Sequence, residues 1–181
     1  MTKTVHTTNC FDTLIQVAED CPARTGEEPL ARAGNPTVAG LQYKMIAEAP
    51  YKYTSDDVIF ATSARGRQLD AKATKKARSL ARDEFFSRGQ ACLRASGLGK
   101  RFGWGVHADA EGRVAIYAVD SKRYQALARN PDIKQVRGDA DEASLNFPWL
   151  LRILTSQNFG GRFSAKALMP SLISALRMLS R

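Results

Sequence analysis

Residues 102–120, FGWGVHADAEGRVAIYAVD, limit what this chain can fold into more than any other stretch. Two alternating segments flank Asp109-Ala110-Glu111-Gly112, a tight turn in which Gly112 supplies the positive φ that closes a short hairpin. The alternation assigns Trp104 and Val106 to one face of the hairpin and His107 to the other. A sheet is therefore required, and the rest of the chain has to supply its neighbours and its cover.

Residues 10–18 read as a strand with Phe11, Thr13, Ile15 and Val17 on one face. A Pro-, Gly- and charge-rich loop follows, and Asn35-Pro36 reads as the opening of a helix that carries Val38, Leu41, Met45 and Ile46 and ends at Pro50. Thr54-Ser55-Asp56-Asp57 is turn-like and leads into an expected short strand over residues 58–64. A long helix is expected over residues 71–96, with Ala77, Leu80, Ala81, Phe85, Ala91, Cys92 and Ala95 near one face and Gly97 and Gly99 as stops. After the hairpin come a short helix at residues 121–129 and an edge strand at 133–136. The order β-α-β-α-β-β-α-β predicts an α+β fold, a small and largely antiparallel sheet with helices packed on one face.

Residues 1–137 form a single expected domain. From Gly138 the sequence turns polar and acidic (GDADEAS), and residues 170–181 then carry an amphipathic stripe of Leu172, Ile173, Leu176 and Leu179. Residues 138–181 thus read as a linker and helical extension, with packing on a second copy through 170–181 as one role for it. No apolar run approaches the ~20 residues of a membrane span. The first residues lack the apolar stretch of a secretory signal, and three dispersed cysteines fit reduced thiols, so a cytoplasmic setting is expected.

The net charge of +9 is unevenly spread. Residues 1–64 carry 5 basic and 8 acidic groups, whereas residues 65–101 carry 11 and 3. Lys72, Lys75, Lys76, Arg78, Arg82 and Arg88 fall on the polar side of the expected long helix, with Lys100 and Arg101 beyond it. Such a field fits an anionic partner, nucleic acid or an acidic protein, and Phe102 or Trp104 would be available for stacking on bases. It also fits a solvated helix face.

Three segments resemble one another's counterparts in a known family: HTTNCFDTLIQVAEDCP, YKYTSDDVIFA and FFSRGQACLRASGLGKRFGWGVHADAEGRVAIYAVDS. Together they resemble the small microbial proteins grouped as domain of unknown function 6157, over about residues 6–137. The resemblance implies a shared single-domain fold and assigns no activity. Compared with that pattern, this chain carries 44 further residues after Arg137.

Other chemistry is thinly signalled. Cys92 and His107 are the nucleophile and base a thiol enzyme would need, with Asp109 to orient the base, yet Cys92 also suits an apolar helix face. His6, Cys10, Cys21 and His107 offer zinc-type ligands without the close pairing of a metal site, so no metal is assigned. The glycines of residues 97–105 follow a helix instead of preceding one, the wrong order for a phosphate cradle. Gly103 and Gly105 read as places where a backbone or an aromatic ring approaches the strand. No cofactor is assigned. The leading expectation is a cytosolic, non-enzymatic binding domain with a basic helix-hairpin surface, ahead of a small Cys92/His107 enzyme or a nucleic-acid-binding protein.

Overall fold

Strand β1 (Thr13–Gln16) lies inside the sheet, and Thr13, Leu14 and Ile15 are all buried although they alternate between its two faces. In the computed structural model, which describes residues 6–69 and 73–140, β1 pairs antiparallel with β2 (Trp104–Ala108) and parallel with β4 (Lys134–Arg137). Strand β3 (Val114–Ala118) completes the hairpin with β2, giving the order β3-β2-β1-β4. The turn forms as its residues require: Gly112 adopts φ 75° and donates its N–H to the Asp109 carbonyl at 3.0 Å. Between β3 and β4 the chain passes through helix α6 (Lys122–Arg129), the kind of crossover that parallel pairing needs. The fold is α+β with a mixed sheet.

One face of the sheet is covered by α1 (Val38–Glu48), α2 (Ser55–Thr62), the 3-10 turn Leu93–Ala95 and α5 (Gly97–Arg101). Ile46, Val58, Leu93 and Leu98 from these elements pack with Ile15, Val106, Ala108 and Val114 from the strands. Burying each of the Val, Leu and Ile side chains contributes about 1.5–3 kcal/mol, so this layer outweighs any surface ion pair among the described residues. The other face carries α6. There the Tyr124 ring lies against Gly105, where a Cβ would collide with it, and the Tyr124 hydroxyl accepts the Val17 N–H at 3.1 Å. Helices therefore cover both faces of the sheet, not the single face expected.

Residues 58–64, expected as a strand, are instead the end of α2, its cap Ser63 and the first residue of the next helix. The reason lies just upstream: Thr54 caps the helix by accepting the Asp57 N–H, and the Asp57 carboxylate accepts the Thr54 N–H in return, a complete capping box. The helix expected over 71–96 is also shorter. Helix α4 (Lys75–Phe85) stops where Phe86 turns inward to become 1% exposed, and the short helix α3 (Ala64–Arg67) precedes it. Ser96, accepting the Leu98 N–H, then starts α5 at Gly97, which opens a helix where a stop was expected. Of the apolar face assigned to the long helix, Ala81 is buried while Leu80 is 61% exposed. Helix α1 is capped by Thr37, and Asn35 instead pairs with Arg32 across a tight turn at Gly34.

The fold continues just past residue 137, since Gly138 donates to the Gln16 carbonyl at 2.9 Å and Asp139 pairs with Arg94 at 2.9 Å. Lys72 and the expected extension from residue 141 onward lie outside the described residues.

Candidate functional site

On the sheet face that bears α6, three side chains meet that are distant in sequence. The Tyr51 hydroxyl lies 2.8 Å from His107 Nδ1 and 3.0 Å from the Tyr117 hydroxyl, and the Tyr51 and His107 rings meet edge to face. His107 and Tyr117 come from the hairpin. Tyr51 comes from the turn after α1, which runs along the outer edge of β3: its N–H donates to the Val114 carbonyl at 2.9 Å, and Val114 N–H donates to the Tyr53 carbonyl at 2.8 Å. Tyr51 adopts φ 57°, a left-handed conformation that costs an aromatic residue energy and that the flanking hydrogen bonds hold in place.

The electrostatics of this cluster favour neutral groups. Burial pushes the His107 imidazole below its ordinary value; Asp109 and Asp12 pull it back up, and the charge of Arg123 opposes protonation further. Burial and the neighbouring Tyr117 hydroxyl raise the Tyr51 phenol well above the usual tyrosine range. At neutral pH the uncharged imidazole of His107 is thus tied to the uncharged phenol of Tyr51.

Cys92 stands elsewhere. It lines an apolar cavity of about 430 Å³ with Val38, Gln42, Ile59 and Phe85, among the helices that cover the opposite face of the sheet. The sheet separates it from His107, so the geometry does not join the thiol and imidazole. Asp109 is occupied by its own turn, accepting from the Glu111 and Arg113 N–H groups and from the Arg113 guanidinium. Cys21 is buried beside Ala18 and Ala23, Cys10 packs against the main core, and His6 donates its backbone N–H to Phe86. Among the described residues, no three His, Cys, Asp or Glu side chains converge as metal ligands would.

Because the long helix is broken, the basic residues fall into separate groups. Lys75, Lys76 and Arg78 occupy the exposed first half of α4. Arg82, on the same helix, points back into the fold: it bonds Asp57 at 2.5 Å, lies 4.0 Å from Asp56, and covers the Phe86 ring. Lys100 and Arg101 end α5 and, with Arg32, surround a cavity of about 500 Å³ that also holds Phe102. Arg32 comes from the loop before α1, and its loop composition gave no sign of this convergence. Trp104 is committed to the core side: its indole donates to the Glu27 carbonyl at 2.7 Å and packs on Tyr43 at 5.2 Å.

The family described as "Family of unknown function (DUF6157)" matches residues 5–142. This chain belongs to DUF6157. Comparison with curated proteins and with solved structures gave no match. The matched region takes in every element described above, and the three sequence segments that mark DUF6157 resemblance touch one another in the fold. Thr7 and Thr8 donate to Asp56, joining the first segment to the second, while the Tyr51–His107 bond joins the second to the third. Among the described residues, no helix is long and apolar enough to cross a membrane.

Proposed function

We propose that this DUF6157 protein is a cytosolic binding module that engages an anionic partner through the exposed first half of α4. The supporting observation is how its cations divide. Arg65, Arg82, Arg94, Arg113 and Arg137 each pair with a carboxylate of the same fold. Lys75 and Lys76 are exposed and form no ion pair with a described side chain. They occupy the first turn of α4, which holds no acidic residue, at the positive end of the helix dipole. Each charge there weakens the helix by roughly 0.3–1 kcal/mol, a cost that a docked anion reverses. Arg78 extends the same surface, and the Arg32, Lys100 and Arg101 cavity adds a second cationic patch beside the hairpin.

An acidic protein segment is the first choice of partner. Nucleic acid ranks second because Trp104, one of the two aromatics expected to stack on bases, is held by Glu27 and Tyr43. The three cysteines are free thiols, which supports a reducing compartment. The test is fluorescence anisotropy of labelled poly-glutamate and of a labelled single-stranded oligonucleotide at low salt. Binding of poly-glutamate that weakens in Lys75→Gln/Lys76→Gln/Arg78→Gln supports the reading, and tighter binding of the oligonucleotide reverses the order of partners. Absence of binding to both ends it.

A further inference from the structure

Gln42 places a carboxamide at a core position of α1. It is 6% exposed, and one end of its amide, Oε1, accepts the Ser96 hydroxyl at 2.6 Å. The other end, Nε2, makes no hydrogen bond to any described group, yet it is not sealed from solvent. What reaches it is the cavity of about 430 Å³ that Gln42 and Ser96 help to line. Other polar side chains of that wall are answered by backbone. The Thr62 and Ser63 hydroxyls donate to the Val58 and Phe60 carbonyls, and the Gln90 amide donates to the Phe85 carbonyl. A buried amide end without a partner is costly, and a docked polar group relieves that cost.

The rest of the wall sets what kind of molecule fits. Val38, 49% exposed, marks the open end of the cavity, Gln42 and Ser96 its buried end, and Ile59 and Phe85 add apolar surface. No side chain that lines it among the described residues is charged. A carboxylate or phosphate there would lose its water with no cation to replace it. An apolar body with a single neutral polar group matches such a wall. A hydroxyl both donates and accepts, so it answers the carboxamide whichever of its ends faces Ser96.

We propose that this cavity is a binding site for a small neutral molecule with an apolar body and one hydroxyl group. The hydroxyl bonds the Gln42 carboxamide, and the body lies against Val38, Ile59 and Phe85. No lysine or arginine of α4 lines the cavity, so the site stands apart from the partner surface proposed above.

The experiment is ¹H–¹⁵N NMR of the full chain, titrated separately with benzyl alcohol and with toluene, which lacks the hydroxyl. The Gln42 side-chain amide is assigned by its loss in Gln42→Met. The site predicts saturable binding of benzyl alcohol with a shift of the Gln42 side-chain amide larger than any that toluene produces. Gln42→Met lowers the affinity for benzyl alcohol relative to toluene about fivefold. Ala91→Phe, at an exposed position of the wall, weakens binding of both, and Lys75→Gln/Lys76→Gln leaves both unchanged. Absence of saturable binding of benzyl alcohol overturns the proposal. So does a Gln42 shift as large with toluene, an unchanged affinity ratio in folded Gln42→Met, or unaltered binding in Ala91→Phe. If Gln42→Met does not fold, the amide is assigned through the backbone, and the two titrations of the unaltered chain decide the matter.

Discussion

Thr8 donates both its backbone N–H and its hydroxyl to Asp56 Oδ1, each at 2.7 Å. With the Thr7 hydroxyl on Oδ2 at 2.9 Å, this carboxylate is 7% exposed and anchors the N-terminal segment to the first turn of α2. Asp56→Ala leaves these donors facing a buried gap. It should lower stability by about 1–3 kcal/mol in a urea titration and speed amide exchange at residues 7–9. Unchanged exchange there would show that the anchor does not act.

Asp57 should govern part of the acid limb of the stability curve. Burial opposes its charge, but the Thr54 N–H, the Arg82 guanidinium and the Thr54 hydroxyl outweigh burial and hold it below the usual carboxylate range. A depressed folded value means the contribution is present above the unfolded pKa of ~3.9 and is lost as pH falls through the folded one. Asp57→Asn should flatten that limb, and Thr54→Ala should cost about 1 kcal/mol through the lost cap.

His107 acts in a higher window. Its folded value lies below its unfolded one of ~6.5, so the unfolded chain takes up the proton first. Stability from this group is present above that value and declines as pH falls from it toward the folded one. NMR titration should place the midpoint of His107 below the ordinary histidine value of ~6.5. Arg123→Gln should raise the His107 midpoint and Asp109→Asn should lower it further, because their charges act on it in opposite senses.

Gly105 is the point where α6 closes on the sheet. A Cβ there meets the Tyr124 ring, and one at Gly103, which sits at φ 68°, meets the Thr25 backbone. Gly105→Ala should destabilise by about 1–3 kcal/mol, and Gly103→Ala by more, since a backbone yields less than a ring. Equal losses would mean that α6 does not yield more readily than the Thr25 loop.

Both glycines were legible as sites of close approach because a strand keeps glycine where something presses on it. The hairpin was legible through its period of two and its Gly112 turn. Residues 58–64 misled because Val58, Ile59, Phe60 and Thr62 have strand propensity, while the Thr54/Asp57 capping box that decides the matter is read only when Asp is admitted at its third position. The alanine-rich run after residue 71 keeps helical propensity throughout, so nothing local marks the break. Phe86 enforces it by needing the core, a tertiary demand. That break divides the basic residues. The Tyr51–His107 contact spans 56 residues, and no spacing rule brings the two together.

The most direct test of the central claim is the salt dependence of poly-glutamate binding by the full chain. With Lys75, Lys76 and Arg78 as contacts, log K should fall linearly with log salt, and each neutralised residue should make the slope shallower by roughly 0.7–0.9, as for contacts to a polyanion. A slope left unchanged in Lys75→Gln/Lys76→Gln/Arg78→Gln would contradict the claim that α4 is the binding surface.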